Sequence, residues 1–294
     1  MSPVATFIGE HAILALSAVS VLLLLTTGVV WKLIDRVWEP LWRLVTRLWD
    51  ALWGSKLGDV LRRIPLVRDT LARGLSVWRY LGIHAVASFA VALVGIAVFV
   101  ELADEIDPHE ELARFDAQLA QALQVNVGPE MLEVFATITR LGDRNVTIVI
   151  AALVALYFLL RRWWLHAAIW VLATGLGGLL VRLLKQHFAR ARPVHEHALT
   201  DSTGWSFPSG HAAGAVLVYG MLGYFIIRQT PSRWHIPIAL VTITLVTFVG
   251  FSRVVLQVHY LSDVLAGFVV AGAWIALWVT AFEVIRRRDS AGQR

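Results

Sequence analysis

The stretch 165–184, LHAAIWVLATGLGGLLVRLL, is a predominantly apolar run that decides the fold. About 20 such residues span a bilayer as a helix. A helix is the expected structure because backbone polar groups in lipid must be paired within the segment. Arg161 and Arg162 precede the run, and a basic stretch beginning at Lys185 follows it. We therefore predict a transmembrane helix here, with basic residues at both ends.

Six further apolar runs predict additional spans, at residues 12–30, 80–100, 146–160, 212–227, 236–251 and 264–282. The composition agrees, with 57% hydrophobic and only 16% charged residues and a mean hydropathy of +0.67. Soluble domains carry about a quarter charged residues, so soluble and disordered classes are excluded. The chain has no cysteine, which excludes disulfides, thiol nucleophiles and cysteine-bound metals. We predict an all-α integral membrane protein.

The basic residues predict the orientation of the seven spans, because basic loops stay on the cytoplasmic side. With seven spans, 18 of the 26 Lys and Arg residues fall on one side, ten of them in the connection 31–79. The connection 101–145, on the other side, holds ten acidic residues and three Arg. We expect the N-terminus outside and the C-terminus inside. The first span lacks a preceding basic segment, so we interpret it as an uncleaved helix.

Within 31–79, tryptophans and aliphatic residues recur at helical spacing between basic residues. This pattern is typical of amphipathic helices that lie in the membrane interface. We interpret the segment as a membrane anchor, with lipid-headgroup recognition or partner contact as the alternative.

One outer segment, 182–211, departs from the charge rule because it carries Arg182, Lys185, Arg190 and Arg192. A bound anion would explain positive charge on this side. Lys185, Arg192 and Arg253 offer donors suited to a tetrahedral oxyanion.

Two further motifs on the same side supply chemistry. Ser209 and Gly210 are expected to open a helix, where backbone N–H groups attract an anion. His259 and Asp263 are four residues apart and share a helix face. The carboxylate can hold one ring nitrogen protonated and leave the other free to attack. His211, on a different helix, is available as general acid and later as base. These residues predict a phosphoryl-transfer site without metal.

The three motifs together resemble the signature of the type 2 phosphatidic acid phosphatase superfamily. They read Lys-x6-Arg-Pro from residue 185, Pro-Ser-Gly-His from residue 208 and Ser-Arg-x5-His-x3-Asp from residue 252. The resemblance covers about residues 80–285 and implies a six-helix membrane core. It implies a phosphohistidine at His259, oriented by Asp263, with His211 protonating the leaving oxygen. It also implies a phosphate-binding set of Lys185, Arg192, Ser209, Gly210, His211 and Arg253.

The predicted organisation has three parts. Residues 1–79 form the extra N-terminal transmembrane helix and the interfacial helices, 80–285 the phosphatase core, and 286–294 a basic cytoplasmic tail. His195 and His197 flank Glu196 in the outer loop. We interpret them as a solvated loop, with a metal site as the alternative; the predicted reaction uses neither metal nor cofactor. His187 and Arg190 lie between matched positions, where either could contact substrate, but no role is required of them.

The sequence thus predicts a metal-independent lipid phosphate or diphosphate phosphatase of the bacterial inner membrane, with its site on the periplasmic side. Undecaprenyl diphosphate, phosphatidylglycerol phosphate and phosphatidic acid all fit. An outward site favours undecaprenyl diphosphate, by analogy with carrier recycling alone. The expected partners are the bilayer and the lipid substrate, without nucleic acid. The alternatives are phosphoryl transfer to a lipid or sugar acceptor, and a non-enzymatic protein that binds or transports lipids.

Overall fold

The computed structural model describes residues 3–11, 44, 47, 51, 89–193 and 204–292, and for residues 5, 6, 9, 10 and 287–292 only the backbone. The predicted first span, most of the connection 31–79 and the His195–His197 stretch lie outside the described residues.

All regular structure in the described part of the chain is helical. The helices are α1 (Pro3–Glu10), α2 (residues 89–104), α3 (Glu111–Asn126), α4 (Pro129–Thr139), α5 (Arg144–Leu160), α6 (Trp164–Phe188), α7 (Gly210–Gln229), α8 (His235–Val255) and α9 (Leu261–Gly292). Single 3-10 turns occur at Arg140–Gly142 and Ser232–Trp234, and α7 contains a π turn at Val216–Gly220.

Five helical segments in the described residues are long and apolar enough to cross a membrane. They contain α5, α6, α7, α8 and α9, which confirms the last five predicted spans. The helices extend beyond the apolar runs because polar residues such as Lys185 and Arg253 continue the helical backbone. Helix α2 covers the second predicted span from residue 89 onward.

The long helices alternate in direction, so their ends gather at two poles. Helices α6 and α8 end where α7 and α9 begin, and we call this pole the site end. At the opposite pole, the rings of Phe158, Phe225 and Phe282 surround His166 at centroid distances of 4.7–5.5 Å. Aromatic packing therefore holds the helices together at this pole, and the polar motifs lie at the other pole.

Helices α3 and α4 lie within the acidic connection 101–145, for which the sequence analysis predicted no helices. The buried residues of α3 follow helical spacing, at Ala113, Asp116, Leu119, Ala122 and Leu123. This face packs near the start of α9, and Ile8 of α1 packs against the same cluster. The amphipathic spacing of α3 explains why this short, charged segment folds onto the bundle.

Two residues in left-handed backbone conformation turn the chain at the site end. Ala189 has φ 44° directly after α6, and Gln257 has φ 58° after α8. For a residue other than glycine this conformation costs about 1–2 kcal/mol. The surrounding packing sustains both turns. As a result, Arg190, Arg192 and His259 all lie at the site end.

Candidate active site

His259 is the centre of the site, buried in the turn between α8 and α9. Its Nδ1 lies 3.2 Å from Asp263 Oδ2, and its Nε2 lies 3.1 Å from Nη1 of Arg192. A guanidinium group has only donors, so Nε2 must accept this hydrogen bond. The ring proton therefore sits on Nδ1 and is donated to Asp263. The lone pair of Nε2 faces a cation.

Asp263 is fully buried in the first turn of α9 and accepts three hydrogen bonds. The donors are the His259 ring, the Tyr260 backbone N–H at 2.9 Å and Nη1 of Arg190 at 2.7 Å. Tyr260 directly precedes α9, and Asp263 is the third residue of that helix. The hydrogen bond between them is one of the two that make up a capping box, the one from the N-cap backbone N–H to an acidic side chain in the first turn. Asp263 thus ties the helix start and the histidine into one unit.

Arg190 connects Asp263 to a second buried carboxylate, Asp116 of α3. Its Nη1 also donates to Ser262 Oγ at 2.7 Å, and its Nη2 donates to Asp116 Oδ2 at 3.1 Å. Asp116 further accepts hydrogen bonds from the Ser262 backbone N–H, at 3.2 Å, and from the Ser262 hydroxyl. Burial raises the pKa of Asp116, while Ser262 and Arg190 act in the opposite direction. Arg190 therefore neutralises two carboxylates behind the site.

Lys185 and Arg192 are oriented by backbone carbonyls of the segment that leads into α7. Lys185 Nζ donates to the Trp205 carbonyl at 2.6 Å and to the Ser206 carbonyl at 3.2 Å. Arg192 Nε donates to the Gly204 carbonyl at 2.9 Å. Arg192 is held further by the Val258 carbonyl, 2.5 Å from its Nη1. These carbonyl contacts fix the direction of both cations.

The start of α7 adds a helix N-terminus to the cations. Ser209 is the N-cap, and its hydroxyl accepts a hydrogen bond from the Ala212 N–H at 3.4 Å. A Cβ on Gly267 of α9 would lie 2.8 Å from the Ser209 carbonyl, so only glycine permits this close approach. A Cβ on Gly210 would lie 3.6 Å from Lys185 Cε. The positive end of α7 is therefore adjacent to Lys185.

His211 is the second residue of α7, and its Nε2 lies 2.9 Å from Asp143 Oδ1. Arg253, buried on α8, donates to Thr139 Oγ1 at 2.8 Å. Thr139 directly precedes the 3-10 turn that leads to Asp143. A Cβ on Gly142 in this turn would lie 2.4 Å from Val249 Cγ1 and 3.1 Å from His211 Cδ2. The turn thus packs between α7 and α8.

The pKa of His259 depends on the burial of its ring and on the cations around it. Burial lowers the pKa of His259 well below its ordinary value of 6.5. The positive charges of Arg192, Lys185 and Arg253, and then His211, act in the same direction. A neutral imidazole with its lone pair toward the cations is the form that attacks an electrophile.

The structure thus places all eight predicted site residues at the site end. Among the described residues, no group of three or more His, Asp or Glu side chains could hold a metal ion.

Sequence reasoning missed Asp116 and Asp143, and it gave Arg190 no role. Asp116 occupies an apolar position of an amphipathic helix, which is the signal that could have indicated a buried acid. Asp143 lies 68 residues from His211 in sequence, and no local pattern predicts that contact.

The chain is similar to known proteins in sequence and in structure. A family model described as the PAP2 superfamily matches residues 166–287. The chain is 31% identical over 156 residues to phosphatidylglycerophosphatase B of Bacillus subtilis (strain 168). The aligned region covers 52% of this chain and 76% of that protein. It is 32% identical over 109 residues to the lipid A 1-phosphatase of Rhizobium etli, of which it spans 43%.

A solved structure is similar over most of its length. It is the crystal structure of the first transmembrane PAP2 type phosphatidylglycerolphosphate phosphatase from Bacillus subtilis. The match has a TM-score of 0.58 and 27% identity, and it covers 65% of this chain and 94% of that chain.

The helical bundle, its polar end and these relatives define a class: a multi-pass membrane phosphatase. The chain belongs to the PAP2 superfamily, the type 2 phosphatidic acid phosphatases.

Proposed function

We propose that this protein is a membrane lipid phosphatase that acts through a phosphohistidine at His259. The observation that carries the proposal is the pair of contacts made by the His259 ring. Nδ1 meets Asp263, and Nε2 faces the Arg192 guanidinium. Together they describe a neutral nucleophile aimed at the cations that would bind a phosphate.

In the first half-reaction, Lys185, Arg192 and Arg253 neutralise the phosphate oxygens and stabilise the charge of the transition state. His259 Nε2 attacks phosphorus, and the bond between phosphorus and the ester or anhydride oxygen breaks. His211 donates its proton to the departing oxygen. The Nδ1 proton of His259 remains on the ring, held by Asp263, so the products are the phosphohistidine and the dephosphorylated lipid.

In the second half-reaction, His211 is neutral and accepts a proton from water. The resulting hydroxide attacks phosphorus, and the bond between phosphorus and His259 Nε2 breaks. Inorganic phosphate leaves, and both histidines regain their starting protonation states. The three cations provide positive charge at the phosphate, so we expect turnover without a divalent metal.

The relatives support the choice of water as the acceptor, because both named proteins are phosphatases. Phosphoryl transfer to a lipid or sugar is not favoured. Phosphatidylglycerol phosphate is the first substrate to test, since the relative with the longer alignment is named for it. Undecaprenyl diphosphate and phosphatidic acid complete the panel, because Lys185, Arg192 and Arg253 would recognise a phosphate whatever lipid carries it.

We place the site on the periplasmic side and assign the core to residues 80–285. Two observations support this placement. The basic loops predicted to be cytoplasmic join the helices at the pole opposite the site, as at Arg161 and Arg228. Helix α1, near the predicted external N-terminus, packs against α3 at the site end. The extra N-terminal span and the tail 286–294 remain part of the proposed organisation.

The test is phosphate release by the purified protein in detergent, with EDTA present, from the three lipids. The wild-type protein is expected to release phosphate despite the chelator. His259→Gln is expected to lose this activity. His235→Gln is the matched control, because His235 begins α8 at the opposite pole.

Release that stops on chelation and returns with added metal would overturn the metal-free mechanism. Activity retained in folded His259→Gln would overturn the nucleophile assignment. No release from any of the lipids by folded wild-type protein would contradict the phosphatase proposal.

A further inference from the structure

We propose that Asp143 is the positioning residue of His211, orienting the imidazole of the proposed general acid through a direct hydrogen bond. This inference rests on the proposed function. The direct observation is the 2.9 Å contact between Asp143 Oδ1 and His211 Nε2. Nε2–H donates to the carboxylate, which leaves Nδ1 as the nitrogen available to exchange a proton with substrate or water.

A second observation separates this role from an ordinary structural one. Asp143 is the N-cap of α5, where an aspartate usually accepts hydrogen bonds from the first amides of its own helix. Within the described part of the chain, its side chain makes no such cap hydrogen bond. The carboxylate is directed across to α7 instead, at the expense of the cap.

The backbone around Asp143 is fixed from several sides. The Asp143 N–H donates to the Arg140 carbonyl at 3.1 Å, and the Thr147 hydroxyl donates to the Asp143 carbonyl at 3.0 Å. The Tyr219 hydroxyl of α7 donates to the Leu141 carbonyl at 2.6 Å. Gly142 leaves no room for a side chain between Val249 and the imidazole. The carboxylate is therefore held in register with the helix that carries His211.

The charges around His211 explain why the reaction needs this carboxylate. Arg253 on α8 and Arg192 after α6 both act on the imidazole with positive charge. His211 also shares this electrostatic environment with His259. Burial of the ring opposes a protonated imidazole, and these cations, which would bind the phosphate, oppose it as well. A general acid must nevertheless be protonated. Asp143 stabilises the imidazolium through both its charge and its hydrogen bond.

The test uses a series of phosphate monoesters whose leaving groups run from alkyl alcohols to nitrophenol. A poor leaving group needs protonation and a good one does not. Asp143→Asn keeps the shape but removes the charge. We expect kcat/KM for alkyl esters to fall about 10- to 100-fold, which is part of the contribution of general acid catalysis. The nitrophenyl ester should change less than about 3-fold, because its departure needs little acid assistance.

Two further variants are compared with Asp143→Asn. His211→Gln is expected to give the same dependence on leaving group, with larger losses. Glu130→Gln removes an exposed carboxylate from α4 and should leave every rate unchanged. Equal losses of Asp143→Asn on all esters, or no loss on any, would overturn the role of Asp143. Failure of the wild-type protein to hydrolyse any of these esters and any of the three lipids would instead contradict the proposed function.

Discussion

Arg190 and Asp263 form a buried ion pair directly behind the proposed nucleophile, with 2.7 Å between Nη1 and Oδ1. The same carboxylate accepts the hydrogen bond from the His259 ring. Arg190 also pairs with Asp116 at 3.1 Å, so one cation serves two buried carboxylates. The orientation of the nucleophile thus depends on a residue of α3 that does not reach the site itself.

Removal of this shared cation should destabilise the fold. Arg190→Gln leaves Asp116 and Asp263 buried without their counter-charge, which costs about 3–5 kcal/mol when a buried pair is broken. Thermal unfolding in detergent is expected to show a clearly lowered Tm. The matched control is Arg182→Gln, because Arg182 is an exposed arginine near the end of α6 that precedes Arg190. An Arg190→Gln protein that unfolds like the control would contradict the buried network.

A double variant tests whether the effect passes through Asp116. Arg190→Gln combined with Asp116→Asn removes one of the two uncompensated charges. We expect the double variant to be less destabilised than the sum of the two single variants, because contacting residues couple. Strict additivity of the free energies of unfolding would mean that the two side chains act independently.

The carboxylate of Asp263 should control the tautomer of His259. In Asp263→Asn the amide can turn its NH2 group toward Nδ1, which favours the proton on Nε2 and blocks attack. We expect kcat to fall by about 10³- to 10⁴-fold, the size seen when a carboxylate that orients a catalytic histidine is lost. A folded variant within about 10-fold of the wild type would contradict this role.

The pH profile should report the cationic environment of His259. Its pKa lies below the ordinary 6.5, so the attacking neutral form persists at lower pH than for a free histidine. The acid limb of kcat/KM, which reports the free enzyme, is therefore expected below pH 6.5. Arg192→Gln removes a positive charge that lowers this pKa, so its acid limb should move to higher pH.

The shift in Arg192→Gln is measured against the wild-type protein with the same substrate, which cancels ionisation of the phosphate. The height of the profile should also fall, since Arg192 would bind phosphate. A lower profile with an unmoved acid limb would contradict the electrostatic coupling of Arg192 and His259.

The absence of cysteine makes the topology directly measurable. His109→Cys lies between α2 and α3 at the site end, and Ser232→Cys lies at the opposite pole; both side chains are exposed. In intact cells, a membrane-impermeant maleimide should label the first variant. It should label the second only after lysis. The reverse pattern would put the site on the cytoplasmic side.

Much of the bundle could be predicted because a span is a local property. The run 236–251 needed no tertiary information, and it matches His235–Val255 with modest extensions. The ends of the helices were less predictable from the sequence. Arg253 lies inside the helix although arginine is costly in lipid, because it is buried against Thr139 rather than exposed to the bilayer.

The site motifs were predictable for a related reason. Each one is short, and helix geometry brings residues such as His259 and Asp263 onto one face. The positioning residues could not be predicted in this way. Asp116 and Asp143 act through partners 146 and 68 residues away, and a single acid in a charged connection carries no information about such a partner.

Trapping of the covalent intermediate tests the central claim most directly. The background is His211→Gln with a nitrophenyl phosphate labelled in its phosphoryl group. Formation of the intermediate then needs no general acid, while its hydrolysis lacks the base. After an alkaline quench we predict label on the protein that is stable in alkali and lost in acid, as for a phosphohistidine. Label absent from His211→Gln, or still present in His211→Gln/His259→Gln, would contradict the account.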